Sequence, residues 1–266
     1  KGIKDMYTPT LDEVRGLAGR GNVVPVFREI NADLETPVSA YLKIARPPYS
    51  FLLESVEGGE KIAQFSFIGT EPQDVYKTGP GQPQGAVDPL VNIQQTLAGI
   101  DAVKVAGLPR FTGGAVGYLS YDVVRYFEEL PSPEADPLGL PESVFMLCKT
   151  LVVFDHLHHR ILVVSHASLD GDVDAAYAQA TERIDEVVSR LGTAVQLPVP
   201  RAGTPAGNGE VGSNVTRERY EEMVGRVKEY VVAGEVIQAV VSQRLSRPTN
   251  AHPFQIYRAL RTINPS

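Results

Sequence analysis

The stretch EVIQAVVSQRLS, residues 235–246, carries the densest chemistry in the chain. Its residues alternate as in a strand with one face against an apolar layer. Ile237, Ala239, Val241 and Leu245 fall on one face, and Gln238, Val240, Ser242, Arg244 and Ser246 on the other. A row of amide, hydroxyl and guanidinium groups suits the wall of a polar cavity, where the planar fork of arginine matches a carboxylate. The competing reading is a half-exposed antiparallel strand whose polar face meets water. FLLES, residues 51–55, poses the same choice. Glu54 and Ser55 end an apolar strand, and a carboxylate beside a hydroxyl can hold the ammonium and carboxylate groups of an amino acid. Otherwise the strand simply leaves the core for a turn.

Three other groups invite a chemical reading. In FTGGAVGYLSYD, Gly113, Gly114 and Gly117 do not match the spacing of a dinucleotide or Walker loop. They are expected to bend a strand or admit a second backbone at close range. In DHLHHR, His156 and His158 would share a face of a strand, as metal ligands can, with His159 next to them. The run lies between KTLVVF and RILVV, however, where a polar hairpin turn is expected. Cys148, in VFMLCKTLVVF, reads as an unreactive core residue. A single cysteine forms no internal disulfide, which fits a reducing compartment.

The elements that must position these groups have clear boundaries. Thr10 and Glu13 form a capping box for a helix beginning at Leu11. NVVPVFREI follows as a strand. Thr36 caps a second helix with Pro37 at its first position, and Val38, Tyr41, Leu42 and Ala45 are expected to form its apolar stripe. YSFLLESV and KIAQFSFIG are strands around the hairpin signal EGGE, and YKTGPGQPQGAV reads as a loop. Asp88 and Pro89 start another helix. FTGGAVGYLSYDVVRYF, SVFMLCKTLVVFDH and RILVVSHA are strand runs, followed by a long amphipathic helix over DVDAAYAQATERIDEVVSRLG. Beyond the Gly/Pro-rich stretch, TRERYEEMVGRVKEYVVAG is a helix ended by Gly234, and HPFQIYRALRTI begins a last one. Strand runs adjoin one another instead of alternating with helices. That order favours an α+β fold of largely antiparallel sheets packed with helices.

Composition sets the outer limits. In 266 residues, 43% are hydrophobic, enough for one large core or two ordinary ones. The net charge of −7 argues against a nucleic acid or an anionic membrane as main partner. No apolar run approaches the roughly 18 residues of a transmembrane helix. The opening KGIKDMYTPTLDEV lacks the apolar run of a signal peptide. A cytoplasmic location is the expectation.

Several of these segments together resemble one family. AGEVIQAVVSQRL is similar to a signature of the large subunit of anthranilate synthase, with Ile237, Ala239, Val241 and Leu245 replacing other apolar residues. RALRTINPS resembles the start of that family's N-P-S-P-Y-M segment, and FLLES, FSFIGTEP, FTGGAVGYLSYD and VVFDH match its amino-terminal region in order. The resemblance implies the amino-terminal part of a longer subunit: residues 1–195 as the amino-terminal region, 196–214 as a linker or surface loop, and 215–266 as the start of the chorismate-binding region. It implies conversion of chorismate and ammonia to anthranilate and pyruvate, feedback inhibition by tryptophan, and Mg²⁺ whose ligands are expected beyond Ser266. It implies a glutamine amidotransferase subunit as partner in a hetero-oligomer. It places Gln238 in the catalytic cavity, where relatives that add water to chorismate carry a lysine. Glu54, Ser55 and Lys61, with Asn264, Pro265 and Ser266, would bind tryptophan. The resemblance also implies that residues 1–266 alone are inactive. Two alternatives remain open: the large subunit of aminodeoxychorismate synthase, and a non-catalytic amino-acid-binding module.

Overall fold

The apolar runs after Lys149 become the centre of a sheet because both of its faces are covered. The computed structural model describes residues 6–54, 64–131, 136, 138–200 and 210–264. The chain divides into two units, one running to Leu197 and the other from Pro198 to Pro265. In order, the first holds α1 (Leu11–Arg15), β1 (Val23–Asn31), α2 (Pro37–Ile44), β2 (Ser50–Leu53), β3 (Phe65–Thr70), β4 (Asp74–Thr78) and α3 (Pro89–Ala98). It continues with β5 (Gly114–Leu119), a short 3-10 helix (Tyr121–Tyr126), β6 (Ser143–Cys148), β7 (Thr150–Asp155), β8 (Arg160–Ser168) and α4 (Val173–Leu191). A five-stranded sheet has the order β1-β8-β7-β3-β2, and a three-stranded sheet the order β4-β6-β5. Every strand pair is antiparallel, as the α+β expectation requires.

Period-two alternation divides the large sheet's side chains between two layers. Val152, Phe154, Ile161 and Val163 join Ile184, Val187 and Leu191 of α4 and Ala40 and Ile44 of α2 in one core. Leu151, Val153, Leu162 and Val164 turn the other way, into a core with Phe27, Phe51 and Cys148. Each fully buried Ile, Leu or Val contributes about 1.5–3 kcal/mol relative to exposure. Polar contacts fasten the helices to this frame. Arg15 Nε donates to Asp174 at 2.9 Å, joining α1 to α4, and Lys43 Nζ donates to the Leu191 carbonyl at 2.9 Å, joining α2 to the end of α4.

The predicted capping box forms at Thr10, which accepts from the Glu13 amide, and the predicted cap Thr36 accepts from the amide of Ser39. The stripe expected on α2 differs: Ala40 and Ile44, four residues apart on one face, are the buried residues, packed in the core with α4 and the sheet. Tyr76, Lys77 and Thr78, expected in a loop, lie in β4, which pairs with β6. The strand expected through Phe127 ends at Leu119 and gives way to the 3-10 helix. The glycines of this stretch behave as anticipated. A Cβ on Gly117 would sit 1.8 Å from the Val144 carbonyl oxygen of β6, so only glycine permits this pairing. Residues 55–63, which include EGGE, lie outside the described residues, but β2 and β3 pair as the hairpin reading requires.

The DHLHHR run is the β7–β8 turn. Asp155, only 2% exposed, organises it. Its Oδ2 accepts from His158 Nδ1 at 2.7 Å and from Arg160 Nε at 3.1 Å. His156 Nε2 lies 2.8 Å from Ser66 Oγ. Burial pushes the Asp155 carboxyl up, but hydrogen bonds from His158, Arg160 and Gln64 outweigh it and hold the group below its ordinary 3.8. Its contribution to stability is therefore in place above that value and fades as pH falls through the lowered pKa. Asp155→Ala is expected to lower the unfolding free energy by about 2–4 kcal/mol in urea titration at neutral pH, since Arg160 loses a buried partner. The difference from the parent chain should shrink in acid; a constant difference would contradict the role given to the carboxylate.

The second unit contains β9 (Gly212–Ser213), α5 (Arg217–Ala233), β10 (Leu245–Ser246) and α6 (Pro253–Ile263). Thr216 caps α5, and Gly234 ends it in the left-handed region at φ 81.

Candidate functional site

The positions singled out in the sequence fall in both units. Glu54 directly follows β2, half-buried, at the end of the edge strand of the large sheet. Ser55 and Lys61 lie outside the described residues, as do Pro265 and Ser266. Asn264 closes α6, its backbone N–H donating to the Leu260 carbonyl at 2.9 Å. Of the residues expected to bind tryptophan, the structure thus describes Glu54 and Asn264, each within its own unit.

Residues 235–246 differ from the strand expected of them. Pairing is confined to Leu245 and Ser246, opposite Ser213 and Gly212. The preceding residues run as an irregular segment, with Ile237 99% and Val240 83% exposed. Gln238 is exposed within it. The reason is backbone pairing. A strand exists only against another strand's N–H and C=O groups, and the described residues supply partners for two positions. The segment is anchored at its far end, where Arg244 N–H donates to Asn214 Oδ1 at 2.7 Å, and in the middle, where Tyr220 Oη donates to the Val241 carbonyl at 3.2 Å. Residues 237–246 thus follow α5 as a largely irregular arm bearing Gln238, Ser242 and Arg244.

Among the described residues, no group of three or more His, Cys, Asp or Glu side chains is arranged to hold a metal ion. No ligand is assigned here to the Mg²⁺ that the resemblance implies. No helix among them is long and apolar enough to cross a membrane.

A cavity of about 540 Å³ that sequence reading did not reveal opens in the first unit. It draws Tyr76 from β4, Leu97 from α3 and His166 from β8, with Arg110, Thr112 and Lys149 from connecting segments. No motif announces it, because its residues are scattered between positions 23 and 166 and meet only through the fold. Close packing shapes one wall: a Cβ on Gly113 would lie 2.4 Å from His166 Cε1. Burial above all, with the nearby Lys149 charge, pushes the His166 imidazole down to about 4, so it is neutral at physiological pH.

Residues 48–266 match the family described as chorismate binding enzyme. The chain belongs to that family. Among curated relatives it is 38% identical over 275 residues to "Anthranilate synthase component 1" of Acetivibrio thermocellus, covering 98% of this chain and 56% of that protein. It is 39% identical to "Probable anthranilate synthase component 1" of Schizosaccharomyces pombe, covering 97% and 53% respectively. A solved structure of anthranilate synthase component I from Streptococcus pneumoniae superposes with a TM-score of 0.59 at 25% identity, covering 89% of this chain and 53% of that one. The chain spans about half the length of the curated relatives it matches.

Cys148 is 3% exposed, and burial pushes its thiol up to about 11. Alkylation by iodoacetamide at mildly alkaline pH is expected to run about a hundredfold slower in the native protein than in denaturant, as the thiolate is suppressed. Equal rates would show a reactive thiol in place of the packed one.

Proposed function

We propose that this chain supplies the amino-terminal half of the large subunit of an anthranilate synthase. The observation that carries this reading is the 38% identity with anthranilate synthase component 1 in an alignment covering 98% of the chain, together with a family match extending through the Gln238 segment. In the reaction proposed, ammonia adds to the ring of chorismate and the ring hydroxyl leaves, taking up a proton to depart as water. Loss of the enolpyruvyl group as pyruvate then gives anthranilate. The nitrogen comes from a glutamine amidotransferase partner, in line with the "component 1" in the relatives' names.

Gln238 orients ammonia in this reading. Water becomes a good nucleophile only when a base removes its proton, whereas neutral ammonia already presents a lone pair. An amide accepts a hydrogen bond from ammonia without competing for its proton, while a lysine ammonium can only donate. Arg244, on the same polar face of the expected strand, suits a substrate carboxylate. In the assembled subunit, the 237–246 arm becomes a paired strand whose polar face lines the cavity. By the family resemblance, Glu54, Ser55, Lys61, Asn264, Pro265 and Ser266 take tryptophan as a regulatory ligand. Tryptophan would bind in a niche separate from the chorismate cavity.

In a chain extended to the relatives' full length, Gln238→Lys is expected to lower ammonia-dependent anthranilate formation at least about tenfold, read by anthranilate fluorescence. Unchanged turnover would remove Gln238 from the active site. Calorimetric titration tests the regulatory reading: tryptophan is expected to bind the extended chain clearly and the 266-residue chain weakly or not at all. Tight binding to the shorter chain would show that the niche is complete within it.

A further inference from the structure

Within the first unit, the cavity is separate from Glu54. Glu54 follows β2, at one edge of the order β1-β8-β7-β3-β2, whereas the cavity takes Val23 from β1 at the opposite edge and His166 from the adjacent β8. A second hollow of about 500 Å³ adjoins it, sharing Ala102, Arg110 and Thr112. The larger volume lies within the range of about 300–1,000 Å³ usual for small-molecule sites.

Its charge departs from that of the molecule. In a chain of net charge −7, the lining carries two cations, Arg110 and Lys149, against one carboxylate, Asp74. Among the described residues, neither Arg110 nor Lys149 takes part in an ion pair or a side-chain hydrogen bond. Lys149 is held in place by its backbone: its carbonyl accepts from the His166 amide at 3.0 Å. Beside it, His166 Nε2 and Thr112 Oγ1 stand 3.3 Å apart. The rest of the wall is largely apolar, with Tyr76, Leu97, Ile100 and Leu147. Two cations at the cavity, neither committed to a side-chain partner, favour an anion as ligand, and the apolar wall favours one with a hydrophobic body. A bare phosphate or sulfate would leave the apolar wall wet, while a carboxylate is matched by the guanidinium fork.

We propose that this cavity binds a small carboxylic acid with an apolar body, its carboxylate held by Arg110 and Lys149 and its body lying against Tyr76, Leu97 and Leu147. Phenylacetate is the probe, titrated into the 266-residue chain and followed by NMR of the histidine rings. The His166 ring signal is expected to move saturably, while those of His156, His158, His159 and His252 stay in place. Phenylacetamide, which lacks the charge, and acetate, which lacks the apolar body, should each bind at least about tenfold more weakly. Arg110→Gln and Lys149→Gln, both at exposed positions, should each weaken phenylacetate about tenfold without changing the thermal unfolding midpoint. The proposal fails if no saturable shift of His166 occurs by about 10 mM phenylacetate, a concentration that detects even weak sites. It fails equally if both variants bind phenylacetate like the parent chain, or if phenylacetamide binds as well as phenylacetate.

Discussion

Burial of one sheet on both faces is the constraint from which the rest of the first unit follows. β7 and β8 contribute Leu151 through Phe154 and Ile161 through Val164, every one of them buried. Such runs cannot leave a face to water, so a layer must cover each side. The helices take one side, supplying Ile44, Ile184 and Val187. The other takes Phe27, Phe51 and Cys148, with Phe111, Val116 and Met146 packed against them. The three-stranded sheet therefore contributes to a core that the five-stranded sheet requires. At β5 the fit leaves no room for a side chain, which is why Gly117 sits against Val144.

What was legible in the sequence depended on whether the deciding interactions are local. The capping box at Thr10 and the cap at Thr36 close within four residues, and both are legible in the sequence. The turn at 156–159 is bracketed by strongly apolar strands, so its position followed from contrast alone. The buried face of α2 is not legible in its own sequence because docking depends on what the helix meets: Ala40 and Ile44 pack in the core with α4 and the sheet. β4 was hidden beside glycines and prolines, and its existence rests on a partner in β6 some seventy residues away in the chain.

The candidate site shows the same division more sharply. Alternation in 235–246 states which side chains would share a face, not which backbone will pair with them. With pairing available at Leu245 and Ser246 alone among the described residues, the rest of the segment stays irregular and Gln238 remains exposed. The family and the fold were legible because ordered matches spread over nearly the whole chain, a signal independent of any one local geometry. The cavity around Arg110 and Lys149 had no such signal. Its groups come from β1, β4, α3 and β8 and from the segments between strands, and no spacing in the chain announces their meeting.

One residue, Lys149, separates β6 from β7, and across it the chain passes from the three-stranded sheet into the five-stranded one. A strand has no slack at such a joint. Adding or deleting a residue there would rotate every β7 side chain by half a period and send Leu151 and Val153 toward the helices. The Gly/Pro-rich run after Thr78 has no comparable restriction on its length. Drift in chain length among descendants of this fold should therefore collect in that run and spare the joint at 149.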